Sequence, residues 1–266
     1  MSRLWEDFLS SPAPAGHGAE IYADVDELAE SVAAFLAGGF ILGEPGLVVA
    51  SADHVEAFSR ALAAIGWDAD AIASRATFVV VDAETTLESI LEDGMPSPER
   101  FEDVVGGLVD RVIDLGPIDG AHVYGEMVDL LASDGAAGAA VALEGLWNEL
   151  LATRRISLLC GYCLDVFDAA TQTGQIDDVC RAHSHVLPAH DANRFSNAVD
   201  RALFDVLGPT RTRDVYYIVG GRAREQRVPV AQDALRWVAE NLPAQADRVL
   251  AAARSGYVTS ASASPT

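Results

Sequence analysis

Reactive and polar side chains end two short apolar runs in the middle of the chain. Glu126 follows the run Ala121–Tyr124, while Cys160 and Tyr162 lie in the run Ile156–Tyr162. Helical sequence flanks both runs, which is typical of strands in an open α/β sheet. Because such sheets bind ligands in the crevice at the carboxyl ends of their strands, this stretch is a candidate binding site.

Two interpretations stay open for most of these side chains. Glu126 forms a hydrogen bond either with a ligand or with a neighbouring residue. Tyr124 either faces the crevice or packs in the core. Cys160 is either an inert core thiol, the usual state of a free cysteine in an apolar strand, or a reactive one. The second interpretation needs Tyr162 and His183 nearby, since an aromatic ring and an imidazole could line a pocket or lower the pKa of the thiol.

The cysteines also have a spacing that is superficially that of a zinc site. Cys160, Cys163, Cys180 and His183 form the pattern C-x2-C-x16-C-x2-H. The first pair, however, falls at the end of a predicted strand and not in a knuckle turn. We therefore expect no metal at these residues, and no cofactor.

Composition excludes several functions. All 18 basic side chains are arginine, which excludes a Walker A lysine, a Schiff-base lysine and a Ser-Lys dyad. A net charge of -22 argues against direct binding of nucleic acid. The longest uncharged run, Ser31–Gly43, has 13 residues and is too short for a membrane span, and no signal peptide is evident, so we expect a cytoplasmic protein.

Short apolar runs alternate with helical segments, which predicts an α/β fold with a mostly parallel central sheet flanked by helices. The candidate strands are Ala19–Tyr22, Leu47–Ser51, Thr77–Val81, Ala121–Tyr124, Ile156–Tyr162 and Val215–Val219. Helix starts are predicted from cap residues three positions before a carboxylate and from a cap followed by proline. These are Asp24 with Glu27, Asp53 with Glu56, Thr85 with Glu88, and Ser97 with Pro98.

The helical sequence 137–152 carries Trp147 among leucines, a spacing more typical of core than of a ligand pocket, and leaves Glu144 undecided. Along the chain we expect a flexible leader at 1–16, a main domain at 17–188, an extension at 189–258 and a disordered tail at 259–266. The boundary is predicted near Leu187–Asn193, and a helix from about Arg194 to Leu207 follows it.

Several segments together resemble the MEDS domain, a sensory domain of methanogen and methylotroph regulators. They are His17 before the first strand, the helix leading into FILGEPGLVVAS, VYGEMVDLL, LEGLWNELL, LLCGY and VCRAHSHVLP, within residues 17–188. The resemblance implies a KaiC/RecA-like three-layer fold that has lost its phosphate-binding loop. The residues agree, because Tyr22 is followed by Ala23-Asp24-Val25-Asp26-Glu27 where a glycine-rich loop with lysine would lie.

The resemblance also implies a function. Domains of this family are thought to sense small molecules, with hydrocarbon derivatives proposed as ligands, next to histidine kinase or DNA-binding regions. It promotes His17, otherwise a loop histidine, to a ligand-binding candidate, and Tyr22 could face the same crevice. We expect a non-catalytic module without ATPase activity that acts through a protein partner such as a kinase or transcription factor. The alternatives are a thiol-dependent enzyme at Cys160 and His183, and an interaction protein without a ligand.

Overall fold

The computed structural model describes residues 3–12, 15–226 and 228–261. It divides into two compact units, one of Arg3–Cys163 and one that contains the chain from Leu164 onward. The division lies at the end of a strand, upstream of the boundary that the sequence predicts. In the described residues, no helix is long and apolar enough to cross a membrane.

A parallel sheet organises the first unit, and five predicted strands are confirmed in it. In the order β3-β2-β6-β7-β1, every neighbouring pair is parallel. The strands are β1 His17–Tyr22, β2 Gly46–Ala50, β3 Phe78–Asp82, β6 Ala121–Gly125 and β7 Ile156–Cys163. A two-stranded antiparallel hairpin, β4 Leu91–Glu92 and β5 Met95–Pro96, is separate from this sheet.

Helices cover both faces of the sheet, as predicted for an α/β fold. The helices are α1 Arg3–Ser10, α2 Val25–Leu42, α3 Ala52–Ala64, α4 Ala69–Arg75, α5 Ala83–Ile90, α6 Pro98–Phe101, α7 Gly107–Leu115, α8 Met127–Ser133 and α9 Ala137–Thr153, with a π-helical turn at Glu102–Gly106. On one face Phe35 of α2 packs on His122, with ring centroids 4.7 Å apart. On the other face Trp147 of α9 lies over Gly125 and is 1% exposed, as the core assignment predicts.

Two of the predicted helix caps are confirmed and two are corrected. Asp24 caps α2 by accepting a hydrogen bond from the Asp26 N–H at 2.8 Å, and Ser97 precedes the proline that opens α6. The N-cap of α3 is Ser51, not Asp53, and that of α5 is Asp82, which accepts from the Thr85 N–H at 2.7 Å. Both helices start directly after a strand, so the residue at the strand end becomes the cap.

The expected flexible leader is wrong for most of its length. Residues Arg3–Ser10 form α1, in which Trp5 and Phe8 are buried. Phe8 stacks on Phe35 of α2 with centroids 5.8 Å apart, and Trp5 stacks on Phe8 at 5.2 Å. Burial of two aromatic side chains stabilises a short helix that its own hydrogen bonds could not.

The second unit is mainly helical. Its elements are α10 Ala169–Thr173, α11 Gln175–Ala182, β8 His185–Leu187, α12 Ala192–Gln226, α13 Val230–Asn241 and α14 Pro243–Ala261. Gly208, with φ of 78°, breaks α12 before Pro209 where the predicted helix ends. The expected tail from 259 is corrected at its start, because α14 continues to Ala261, and residues 262–266 lie outside the described residues.

The predicted strand Val215–Val219 is wrong, because these residues lie within α12. Val215 and Val219 are buried, whereas Tyr217 and Ile218 between them are exposed. Buried positions four residues apart follow the period of a helix, so packing of one apolar stripe overrides the β-propensity of the run.

Candidate functional site

Four polar side chains meet at the carboxyl edge of the sheet, and we call them the edge cluster: Tyr22, His54, Glu126 and Asp129. Tyr22 ends β1, Glu126 follows β6, and His54 and Asp129 lie in the first turns of α3 and α8. His54 Nδ1 donates to Glu126 Oε2 at 2.7 Å, and the Tyr22 hydroxyl donates to Asp129 Oδ2 at 3.2 Å. The other Asp129 oxygen accepts from the backbone N–H of Cys163 at 2.9 Å.

Burial and hydrogen bonding perturb the protonation of this cluster. Burial raises the pKa of the Asp129 carboxyl, although its bonds from Cys163 and Tyr22 oppose the shift. The hydrogen bond that His54 donates to Glu126 raises the pKa of His54, and the charges of Glu126 and Asp129 act in the same direction. Burial is the main cause that raises the pKa of Tyr22, and the negative charge of Asp129 is the second. Groups whose pKa values are perturbed together at a strand end are typical of functional sites.

The edge cluster reaches solvent through His54. The His54 side chain is 14% exposed, whereas that of its partner Glu126 is 4% exposed. The rings of His54 and Tyr22 pack edge to face, with centroids 5.9 Å apart. A small molecule that reached His54 would therefore meet two carboxylates and a phenol able to exchange hydrogen bonds with it.

A second set, the face cluster, lies where α9 covers the sheet: His17, Glu144, Asn148, Cys160 and Tyr162. The register pairs Cys160 with Ala19 and Tyr162 with Ile21, so His17, Cys160 and Tyr162 point to one face of adjacent strands. Glu144 and Asn148 are one turn apart on α9 and reach the same face. Four of the five side chains are buried, whereas Asn148 is exposed.

A hydrogen-bonded network connects the face cluster. His17 Nδ1 lies 3.1 Å from Asn148 Oδ1, and His17 Nε2 lies 3.3 Å from Glu144 Oε2 and 3.5 Å from Cys160 Sγ. The Tyr162 hydroxyl donates to Glu144 Oε1. Every strand residue of the cluster thus contacts another member through a polar atom.

Burial governs the chemistry of the face cluster. Cys160 is fully buried, and burial together with the Glu144 carboxylate raises the pKa of its thiol well above the usual range. The same two causes raise the pKa of Tyr162. A thiol with a raised pKa stays protonated at neutral pH and is a poor nucleophile, which weighs against a thiol-dependent enzyme.

Comparison with known proteins gives the family. The model of the MEDS family, the MEthanogen/methylotroph, DcmR Sensory domain, matches residues 16–184. The chain belongs to this family. No curated protein matches it. The matched range contains the whole edge cluster and the whole face cluster, so both belong to the sensory domain.

Two further predicted site residues of this MEDS chain, Tyr124 and His183, are not members of either cluster as defined above. Tyr124 lies on the face opposite the face cluster, where it is fully buried against Phe58 with centroids 4.9 Å apart, and burial raises its pKa. It is therefore a core residue beneath the edge cluster. His183 belongs to the second unit, where its Nδ1 donates to the carbonyl of Val179 at 2.8 Å and closes the last turn of α11.

The first two cysteines of the zinc-like pattern do not come together in the structure. Cys160 and Cys163 are three residues apart in an extended strand, so they point to opposite faces. Cys160 is buried and Cys163 is exposed. Cys180, in the second unit, is buried, which raises its pKa to about 12.

Sequence reasoning missed His54, Asp129 and Asn148 of this MEDS site and left Glu144 undecided. Two weak signals could have found all of these residues except His54. Asp129 follows Glu126 by three residues, which places both carboxylates on one side of the helix start, and Glu144 and Asn148 are four apart on an otherwise apolar helix face. Nothing in the sequence indicated that His54 would reach Glu126.

Proposed function

We propose that this MEDS chain is a non-catalytic module that senses a small molecule in signal transduction. The observation that carries the proposal is the edge cluster, in which the His54–Glu126 and Tyr22–Asp129 pairs meet at the carboxyl ends of parallel strands. Membership of a sensory family supports it. A protein partner such as a kinase or transcription factor would read the bound state.

The chemistry of the edge cluster favours a particular ligand class. Glu126 and Asp129 offer carboxylate acceptors, and the net charge of the chain is -22, so an anionic ligand would be repelled. A hydroxyl group could donate to a carboxylate and accept from Tyr22 or His54, whereas an ammonium group could donate to both carboxylates. We therefore infer a small neutral or cationic hydrocarbon derivative, an alcohol or an amine, as the ligand.

A matched pair of variants tests the proposal. Glu126→Gln removes the carboxylate charge at the carboxyl edge. Glu44→Gln does the same at the amino edge, where Glu44 lies 3.0 Å from His122. Binding of short-chain alcohols, amines and carboxylates with the same carbon skeletons would be measured by thermal shift and isothermal titration calorimetry.

We expect an alcohol or amine to stabilise wild type and Glu44→Gln alike and to bind Glu126→Gln about tenfold more weakly or worse. A hydrogen bond to a charged group contributes about 1.5–3 kcal/mol, which is on the order of tenfold or more in affinity. Equal affinity for both variants, preferential binding of carboxylates, or binding of no compound in the panel would contradict the proposal.

A further inference from the structure

Asn148 fixes the protonation pattern of His17. Asn148 Nδ2 donates to the backbone carbonyl of Glu144 at 3.0 Å, which turns its Oδ1 toward His17 Nδ1 at 3.1 Å. An amide oxygen only accepts hydrogen bonds, so His17 Nδ1 must carry a proton. The other ring nitrogen, Nε2, therefore directs either a lone pair or a second proton at Glu144 and Cys160.

The distances around Nε2 suit a metal ion between the three groups. Nε2 is 3.3 Å from Glu144 Oε2 and 3.5 Å from Cys160 Sγ, and the three donor atoms lie within 4.8 Å of one another. In a tetrahedral zinc site, bonds of about 2.1 Å to nitrogen and oxygen and about 2.3 Å to sulfur separate the ligand atoms by about 3.4–3.6 Å. The separations of 3.3 Å and 3.5 Å therefore match those expected for neighbouring ligands of one ion.

The surroundings of the three donors also suit a metal centre. His17 is held through its second nitrogen by Asn148, and the second oxygen of Glu144 accepts from the Tyr162 hydroxyl. Outer hydrogen bonds of this kind orient histidine and carboxylate ligands in metalloproteins. His17, Glu144 and Cys160 are each no more than 4% exposed, so the ion would be bound away from bulk water.

We propose that His17 Nε2, Glu144 Oε2 and Cys160 Sγ together bind one divalent transition-metal ion of the zinc class. Binding forms one bond from the metal to each of the three donor atoms and releases to solvent the thiol proton of Cys160 and any proton on His17 Nε2, with no change of oxidation state. The proposal takes only Cys160 from the C-x2-C-x16-C-x2-H spacing, and for this residue it replaces the expectation from the sequence that no metal is bound. These three groups leave one position of a tetrahedral metal site for a fourth ligand.

Cobalt substitution tests the assignment to Cys160. The chain has three cysteines, so the double variant Cys163→Ser, Cys180→Ser retains Cys160 as its only thiol. After unfolding with a chelator and refolding with Co²⁺, this variant should show the ultraviolet charge-transfer absorption of a cobalt–thiolate bond and bind about one equivalent of metal, by elemental analysis. A folded double variant without this absorption would overturn the proposal.

A second set of variants tests the other ligands. His17→Gln and Glu144→Gln should each lower the retained zinc by at least tenfold, whereas Cys163→Ser, which changes the exposed neighbour of the site, should retain it. Circular dichroism establishes which variants are folded. Unchanged zinc content in folded His17→Gln, or zinc that is lost from Cys163→Ser and retained in Cys160→Ala, would contradict the site.

Discussion

His54 and Glu126 form the closest contact of the edge cluster, and it predicts a pH dependence. The charged groups that face His54 are the carboxylates of Glu126, Asp129 and Asp53, and they raise its pKa above 6.5. A group with a raised pKa in the folded state stabilises the fold below its unfolded pKa, and this stabilisation is lost as the pH rises through the folded pKa. The pair therefore stabilises the protein most below about pH 6.5.

We expect wild type to lose stability as the pH rises above about 6.5. Glu126→Gln should lose less, because a neutral amide does not stabilise the protonated imidazole of His54 as a carboxylate does. The measurement is the free energy of unfolding in urea across this range, with the His54 titration followed by nuclear magnetic resonance. Glu44→Gln should leave the His54 titration unchanged. An unchanged His54 pKa in Glu126→Gln would refute the coupling.

The three thiols are predicted to differ in reactivity. Cys163 is exposed, whereas Cys160 and Cys180 are buried and their pKa values are raised by burial. Iodoacetamide should therefore label Cys163 first in the native protein, and the other two only when the protein is unfolded. Peptide mass spectrometry gives the order, and Cys163→Ser should abolish the fast phase. Rapid labelling of native Cys160 would instead favour the thiol enzyme.

Part of the site could be predicted from single residues and part could not. Glu126 and Tyr22 follow or end apolar strands, so the edge of the sheet that carries them is predictable. His17 and Cys160 are 143 residues apart, and only the register of β1 against β7 brings them together. The resemblance to a sensory family made His17 a ligand-binding candidate. Its position in the sequence did not show which residues it would contact.

At the scale of elements, apolar runs between helices predicted the strands of the sheet, since a parallel strand covered on both faces is apolar throughout. The same rule produced the error at Val215–Val219. This β-branched and aromatic run lies in a helix, and only one side of it is buried. The rule also overlooked α1, because a helix of eight residues gives too short a pattern to distinguish it from a flexible leader. Both errors concern segments whose structure depends on tertiary packing.

The junction of β1 and α2 predicts that the protein does not bind ATP. Only Ala23 and Asp24 separate the two elements, and the Asp24 carboxylate already occupies the first turn by accepting from the Asp26 N–H. Phosphate binding needs free backbone N–H groups at a helix start, and here Asp26 and Glu27 would repel a triphosphate. Isothermal titration of Mg-ATP should show no binding, and micromolar affinity would contradict this.

At the scale of the whole molecule, the charge balance predicts an effect of salt. The chain carries 40 acidic and 18 basic side chains, which gives a net charge of -22. Uncompensated charge of one sign destabilises a compact state through self-repulsion. Specific ion pairs, such as Arg236 with Asp233 and Asp177 in the second unit, neutralise only part of this charge.

Raising the concentration of NaCl at neutral pH should therefore raise the melting temperature. The Debye length falls from about 30 Å at 0.01 M to about 8 Å at 0.15 M ionic strength, so repulsion between distant carboxylates is screened first, while buried pairs such as His54–Glu126 are screened much less. The measurement is thermal unfolding across this range, and sucrose at equal osmolality is the control for exclusion of solute from the protein surface. A melting temperature that falls with salt would mean that attraction between surface charges outweighs the repulsion of the excess carboxylates.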